Sequence, residues 1–126
     1  MSKPTVVVAD DDPLLRAIVE HKLRAAAFEV LLVDDGRAAI EEARRSKPDI
    51  LVLDALMPIL DGFEALRRIK ADPDLGSIAV VMLTQLKRQE DVVTALQLGA
   101  ADYLHKPFNP DELVARLQRL ARVSVT

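Results

Sequence analysis

The amino-acid sequence predicts a single α/β domain in which helices cover both faces of one parallel sheet. Two observations support this fold class. Five short apolar runs alternate along the 126 residues with five amphipathic segments, which is the pattern of parallel strands connected by helices. The runs are also nearly continuous in apolar residues, as expected for strands that are buried on both faces.

Composition narrows the function classes. Half of the residues are apolar and 3% are aromatic, so aliphatic side chains must fill the core. The net charge of −3, with no basic stretch, gives no reason to expect nucleic-acid or membrane binding. The lack of cysteine excludes disulfides and thiol chemistry. Because Met1–Pro4 has no signal-peptide core and no apolar run exceeds six residues, we expect a cytoplasmic domain over residues 1–126.

The strands are predicted from apolar runs that end in polar or turn-forming residues. The third is the clearest, because Ile50–Leu53 is uninterrupted and runs directly into Asp54. The first is rich in β-branched residues, which favour strands. The predicted strands are Thr5–Ala9, Phe28–Val33, Asp49–Asp54, Ile78–Leu83 and Asp102–Leu104.

The helices are predicted from capping residues and from proline. Asp12 before Pro13 is a favourable helix start, and Asp61 with Glu64 three residues later predicts a capping box. Pro48 predicts that the second helix ends before it. Five helices are predicted. The first begins after Asp12, and the others are Ala38–Arg45, Asp61–Lys70, about Gln89 to Leu98, and Asn109 to near Arg122.

Right-handed crossovers between five such strands leave few topologies, and the flavodoxin-like order 2-1-3-4-5 is the commonest at this size. We therefore predict a (βα)5 domain. In this order the first, third, fourth and fifth strands present their carboxyl ends at one edge, where ligands bind in open α/β sheets. The polar residues at these ends are Asp10, Asp11, Asp54, Thr84 and Lys106.

This combination of groups predicts phosphoryl chemistry. Two carboxylates ~4 Å apart repel by ~4 kcal/mol at an effective dielectric of ~20, so three of them would raise one another's pKa or hold a cation. A site with oxygen ligands only suits Mg²⁺. A carboxylate beside Mg²⁺ can attack phosphorus, while Lys106 supplies positive charge and Thr84 a hydroxyl donor. We interpret Asp54 as a phosphoryl-accepting aspartate.

Taken singly, these residues have ordinary explanations. Asp12 is best explained as a helix cap. Thr84 would pass for a strand-end residue, Lys106 for a solvated lysine and Tyr103 for a half-buried strand aromatic. We assign no special role to His21 or His105. Ordinary explanations account poorly for polar groups at four strand ends together.

The same residues make the chain resemble the response-regulator receiver domains of two-component signalling, over essentially its whole length. The spacing of several short motifs carries the resemblance. They are Asp10-Asp11 after the first strand, Asp54 after the third, Met57-Pro58 and Asp61-Gly62 beyond it, Thr84 after the fourth, and Lys106-Pro107-Phe108 after the fifth.

The resemblance implies a phosphoacceptor that catalyses only its own phosphorylation and slow dephosphorylation. Asp54 would take its phosphoryl group from a histidine kinase or a histidine phosphotransfer protein. Asp11 would be the main Mg²⁺ ligand, with Mn²⁺ able to substitute, and Asp10 would act mostly through an ordered water. Asp54 and the backbone carbonyl of Leu56 would complete the ligand set. Lys106 would pair with Asp54 before phosphorylation and with the phosphoryl group afterwards.

The resemblance also implies a conformational switch. Thr84 would move to a phosphoryl oxygen, and Tyr103 would then turn inward. This would remodel the surface formed by the fourth helix, the fifth strand and the fifth helix, through which a phosphorylation-driven homodimer is also expected. The Lys106–Pro107 bond would be cis. The residue after Thr84 is usually small in this family, whereas Gln85 here would crowd the path of Tyr103 or the approach to the phosphoryl group.

Two positions influence dephosphorylation in this family, and both are leucine here: Leu56 and Leu86. Neither side chain can hydrogen-bond an attacking water, so we expect slow loss of the phosphoryl group.

Two other function classes stay open, as do the output partner and the cognate kinase. An aspartate-nucleophile phosphatase for small molecules generally carries a second acid two residues after its nucleophile, where this chain has Leu56. A pseudo-receiver would recruit partners without phosphorylation, and the loss of an acid or of Lys106 would mark it. None of these residues is missing.

Overall fold

The computed structural model describes residues 3–85 and 88–125, with side chains through Arg122. Five strands and five helices alternate within these ranges. The strands are β1 (Thr5–Ala9), β2 (Glu29–Val33), β3 (Ile50–Asp54), β4 (Ala79–Thr84) and β5 (Asp102–His105). The helices are α1 (Pro13–Ala25), α2 (Gly36–Ser46), α3 (Gly62–Ala71), α4 (Gln89–Gln97) and α5 (Pro110–Val125). Among the described helices, none has the length and apolar character needed to span a membrane.

The strands form one parallel sheet in the order β2-β1-β3-β4-β5, which confirms the predicted fold class and strand order. All five residues of the central strand β3 are buried. Its last residue, Asp54, lies opposite Leu83 of β4, and Thr84 lies opposite His105 of β5. The register therefore brings the polar ends of these strands to the same edge.

The sheet separates two apolar cores. Leu51 and Leu53 of β3 belong to the core that packs under α2, α3 and α4. Ile50 and Val52 belong to the core under α1 and α5. Alternate residues of one strand thus serve opposite faces, which explains why the strand sequence is apolar throughout.

Two helix boundaries differ from the prediction by two residues or more. The helix α2 begins at Gly36 rather than at Ala38, because the Asp35 side chain caps it by accepting a hydrogen bond from the backbone N–H of Ala38 at 2.7 Å. A Cβ atom on Gly36 would lie 2.1 Å from the carbonyl oxygen of Leu60, so only glycine fits where the helix meets this loop. The helix α5 continues to Val125, beyond the predicted end near Arg122.

The predicted capping box of α3 is only half formed. The Asp61 carboxylate accepts a hydrogen bond from the backbone N–H of Glu64 at 2.9 Å, as expected for the cap. The Glu64 side chain instead pairs with Arg67 and Arg68. These hydrogen bonds, that of Arg67 first, lower the pKa of Glu64 to about 2. The nearby arginines therefore compete successfully with the backbone for this carboxylate.

Candidate functional site at the carboxyl edge of the sheet

Three carboxylates meet at the carboxyl ends of β1 and β3. Asp10 and Asp11 follow β1, and Asp54 is the last residue of β3. One oxygen atom from each of the three lies within 4.8 Å of the others. Asp10 and Asp54 are 1% and 5% exposed, respectively, whereas Asp11 is exposed. The predicted cluster therefore consists of two buried acids and one that is open to solvent.

Lys106 reaches this cluster from the loop after β5. Its Nζ lies 2.7 Å from Asp10 Oδ2 and 3.1 Å from Asp54 Oδ2. The backbone N–H of Lys106 donates to the Thr84 carbonyl at 2.7 Å, which anchors the loop on β4. The Lys106–Pro107 peptide bond is cis, as expected. Sequence reasoning expected the contact with Asp54 but missed the shorter one with Asp10, which joins residues 96 positions apart.

Burial and charge set the protonation of these groups. Burial raises the pKa of Asp54 and the charge of Asp10 adds to this effect, while Lys106 opposes it. Burial by itself would lower the pKa of Lys106, but its hydrogen bond to Asp10 and the two carboxylate charges outweigh that effect and raise it. The site therefore holds one firmly charged ammonium beside an excess of carboxylates.

The donor set fits a hard divalent cation. It consists of carboxylate oxygens close enough to share one ion, and Mg²⁺ prefers oxygen ligands. The backbone N–H of Leu56 donates to Asp54 Oδ1 at 3.3 Å, so the start of the following loop is held against the same carboxylate. A cation here would offset the cost of the buried acids, which a single lysine compensates only in part.

Arg16 is a contributor that sequence reasoning missed. Its Nη1 donates to the backbone carbonyl of Asp10 at 2.6 Å. The backbone N–H of Asp12 donates to Asp10 Oδ1 at 2.9 Å from the other side. The loop that carries the acid pair is thus held at both the main chain and the side chain of Asp10. In the sequence, the signal for this contact is a basic residue one helical turn after the Asp12 cap.

The side chains of Thr84 on β4 and Tyr103 on β5 interact with each other. Thr84 ends β4 and is fully buried, and Tyr103 of β5 is buried in the core under α2, α3 and α4. Burial raises the pKa of Tyr103, and a polar interaction with the Thr84 side chain opposes the shift. The Tyr103 hydroxyl lacks a partner of regular hydrogen-bond geometry in the described residues, so this interaction is weak.

The Tyr103 ring already points inward in this structure, the position that the family resemblance assigns to the switched state. It packs edge-to-face on His105, with ring centroids 5.4 Å apart. His105 therefore has a packing contact that the sequence did not suggest. Gln85 is exposed and lines a groove beside Lys106.

That groove, of about 540 Å³, lies between α1 and the loop before α5. Its apolar part includes Leu14 and Ile18, which are 70% and 40% exposed. Leu56, one of the two leucines expected to slow dephosphorylation, is 52% exposed at the mouth of the site. The other, Leu86, lies outside the described residues.

The parallel sheet and its acidic carboxyl edge define an α/β domain of the receiver type. Residues 6–118 match the family model described as the response regulator receiver domain. The chain therefore belongs to this family and is a receiver domain of two-component signalling. The match spans the acid cluster, the β4 threonine and the β5–α5 loop.

Known proteins support the assignment. The chain is 39% identical over 120 residues to a probable transcriptional regulator ycf27 of Galdieria sulphuraria. The matched region covers 95% of this chain and 46% of that protein. The chain thus spans about half the length of the curated relatives it matches. The receiver domain of the putative response regulator NarL of Mycobacterium tuberculosis is 32% identical, with a TM-score of 0.89 over 97% of this chain and 98% of that one.

A third relative bears on the metal. The receiver domain of the sensor histidine kinase PA1611 of Pseudomonas aeruginosa is 34% identical, with a TM-score of 0.85 over 94% of this chain and 98% of that one. It was solved with a magnesium ion coordinated in its active-site cleft.

Proposed function

We propose that this chain is a phosphoacceptor switch in which Asp54 receives a phosphoryl group from a phosphohistidine. One observation carries the proposal. The buried Asp54 carboxylate has oxygens of Asp10 and Asp11 within 4.8 Å, and the Lys106 ammonium lies 3.1 Å away. A candidate nucleophile, candidate cation ligands and a positive charge so close together support phosphoryl transfer to Asp54.

The chemistry follows from the roles of these groups. An Asp54 carboxylate oxygen attacks phosphorus while the bond between the histidine nitrogen and phosphorus breaks. Lys106 moves from the carboxylate to the phosphoryl oxygens, whose charge it offsets. The Thr84 hydroxyl lies on the neighbouring strand and donates to one of these oxygens. Substrate positioning and charge compensation account for most of the catalysis.

Mg²⁺, with Mn²⁺ as a substitute, is the proposed cofactor. Asp10, Asp11, Asp54 and the backbone carbonyl of Leu56 would hold it, with Asp11 as the most accessible carboxylate. When bound, the cation neutralises charge between the acceptor carboxylate and the incoming phosphoryl oxygens. The magnesium ion in the PA1611 receiver domain supports this assignment.

The phosphodonor is proposed to be a histidine kinase or a histidine phosphotransfer protein. The groove beside Lys106 supports this, because exposed Leu14 and Ile18 line it and Lys106 contacts Asp54. An apolar face of a donor helix could cover these side chains and thereby place its phosphohistidine over the site. The net charge of −3 gives the domain no basis for binding nucleic acid or a membrane.

The output is proposed to pass through the surface of α4, β5 and α5. Thr84 would follow the phosphoryl group, and the change would reach this surface through Tyr103 because the two side chains interact. Val93 and Leu96 of α4 are exposed apolar side chains there. A second copy of the chain or another partner would bind this surface once it is remodelled.

Beryllofluoride, which mimics a phosphoryl group on aspartate, tests the proposal. With Mg²⁺ it should shift backbone amide NMR signals at Asp54, Thr84 and Tyr103 in the native chain, and leave Asp54→Asn unchanged. Thr84→Ala should still bind the analogue but show smaller shifts at Tyr103. Unchanged spectra of the native chain, or equal shifts in Asp54→Asn, would contradict the proposal.

A second candidate is a binding module that works without phosphorylation. The buried Tyr103 ring favours it, because an inward ring is the arrangement expected of the switched state. In that case a partner of the α4–β5–α5 surface would bind native chain and Asp54→Asn equally, with or without beryllofluoride. An affinity that rises only with the analogue would exclude this candidate.

A further inference from the structure

Ile59 has an unfavourable backbone conformation and an exposed side chain. It lies between β3 and α3 with φ at 70° and is 75% exposed. A β-branched residue at positive φ is a genuine outlier, and an exposed isoleucine gains little from burial. The backbone N–H of Leu60 donates to the Pro58 carbonyl at 2.7 Å, so Ile59 is the central residue of a γ-turn, which accounts for its positive φ. Neither this turn nor the core requires a large apolar side chain at the position.

Ile59 borders a groove between α2 and α3. The groove has a volume of about 440 Å³, and its apolar part is formed by Ile40, Ile59 and Leu60. Ile40 is buried and provides the floor. The close approach of Gly36 to the Leu60 carbonyl fixes the loop on the start of α2, so the groove is part of the packed fold.

Arginines surround the apolar part of this groove. Arg37 and Arg44 come from α2 and Arg68 comes from α3, and one acid, Glu41 of α2, also lines the groove. Their side chains are mostly exposed, and two have loose partners: Arg37 lies 3.4 Å from Glu41, and Arg44 lies 3.7 Å from Asp72. Exposed pairs of this kind contribute little, so an incoming carboxylate can replace the present partner at small cost.

Arg68 differs because it binds Glu64 at 2.9 Å. Glu64 is shared with Arg67, so its single charge serves two guanidinium groups. The rim of the groove is thus rich in arginine in a chain whose net charge is −3. Arginine is well suited to bidentate binding of carboxylates.

We propose that this α2–α3 groove binds an acidic segment of a partner protein that carries a large apolar anchor residue. The anchor would contact Ile59 and Leu60, and acidic residues beside it would pair with Arg37 and Arg44. Charge complementarity selects an acidic partner over a basic one. The surface is separate from α4–β5–α5 and from the groove beside Lys106, and the proposal does not require phosphoryl transfer.

The test uses the whole unphosphorylated chain and a synthetic probe. The probe is a fluorescent amphipathic peptide of about 15 residues, a length at which a helix can form on binding, with leucines at helical spacing among glutamates. Its counterpart carries lysines in place of the glutamates. Fluorescence anisotropy should show binding of the acidic peptide and little binding of the basic one.

Two variants with controls assign the binding to the groove. Arg37→Glu should weaken binding of the acidic peptide roughly tenfold, whereas Arg119→Glu, an equal charge change on α5 across the sheet, should have little effect. Ile59→Asn should also weaken binding. Asparagine tolerates positive φ, so the melting temperature of Ile59→Asn should not fall. The loss of binding would then not be caused by unfolding.

Three results of the binding assay would overturn the proposal. They are an absence of acidic-peptide binding to the native chain, equal binding to native chain and Arg37→Glu, and equal binding of the basic peptide. Sedimentation velocity tests whether a second copy of the chain occupies the groove instead. If the native chain is a dimer and Ile59→Asn is a monomer, a second copy fills the groove, and this would also overturn the proposal.

Discussion

At the scale of single residues, the acid cluster is a destabilising feature that function explains. Asp54 is buried beside a second buried carboxylate, and its pKa is raised by burial and by Asp10. Lys106 contacts both acids but carries one charge. The folded state therefore retains uncompensated negative charge that a core of apolar residues would lack.

Replacing the acceptor should therefore stabilise the fold. Asp54→Asn keeps the shape of the side chain and removes its charge, so we expect the free energy of unfolding to rise by about 1 kcal/mol without divalent cations. Urea unfolding at neutral pH measures this. Asp74→Asn, a change at an exposed acid, should leave the value within about 0.5 kcal/mol. A clear loss of stability in Asp54→Asn would show that its pairing with Lys106 outweighs the cost of burial.

Leu56 is expected to slow loss of the phosphoryl group. Its half-exposed side chain lies next to Asp54 and cannot orient a water for attack. Leu56→Asn, which can, should shorten the lifetime of the phosphorylated chain several-fold, roughly the effect of one added hydrogen bond. Leu56→Met, an apolar control of similar volume, should not. The lifetime is measured by the decay of the phosphorylated mass after excess donor is removed. Rapid loss from the native chain, unaltered by Leu56→Asn or by Leu86→Glu, would contradict the account.

At the scale of secondary structure, the end of α1 shows a local conflict. The backbone N–H of Phe28 donates to the Leu23 carbonyl at 3.0 Å, and Ala27 between them has φ at 70°. This is a Schellman-type ending, in which glycine is the favoured residue at the left-handed position. Alanine there carries a steric cost that glycine would avoid.

Ala27→Gly should accordingly stabilise the chain. We expect an increase of about 0.5 kcal/mol in the free energy of unfolding, since relief of the strain exceeds the added entropy of the unfolded chain. Ala17→Gly, inside the same helix, should lower it by about 1 kcal/mol. Urea titrations of both variants provide the comparison. A decrease for Ala27→Gly would mean that the alanine methyl group contributes packing that outweighs its strain.

Element prediction succeeded where one local signal dominated. The apolar run before Asp54 and the Asp12–Pro13 start correspond to β3 and α1. It was less accurate where packing against a distant loop sets a boundary. The helix α2 was predicted to begin at Ala38, but it begins at Gly36, because Asp35 caps it and Gly36 packs against Leu60. That packing depends on a loop far along the chain, which a local pattern does not contain.

At the scale of the whole molecule, the strand order gathers the site. The edge residues could be predicted because parallel strands in the order 2-1-3-4-5 place their carboxyl ends together. The specific pairing of Lys106 with Asp10 could not, because it depends on how the β5–α5 loop lies over the sheet. The α2–α3 groove could likewise not be predicted from the sequence, because it forms where two helices and a loop meet in space.

Phosphoryl transfer to Asp54 can be detected from the mass of the intact chain. Native chain and Asp54→Asn are incubated with acetyl phosphate, with and without Mg²⁺. We expect one added phosphoryl group on the native chain only, and only with Mg²⁺. An equal gain of mass in Asp54→Asn would place the acceptor elsewhere, and no gain in either protein, together with no binding of beryllofluoride, would contradict the phosphoacceptor function.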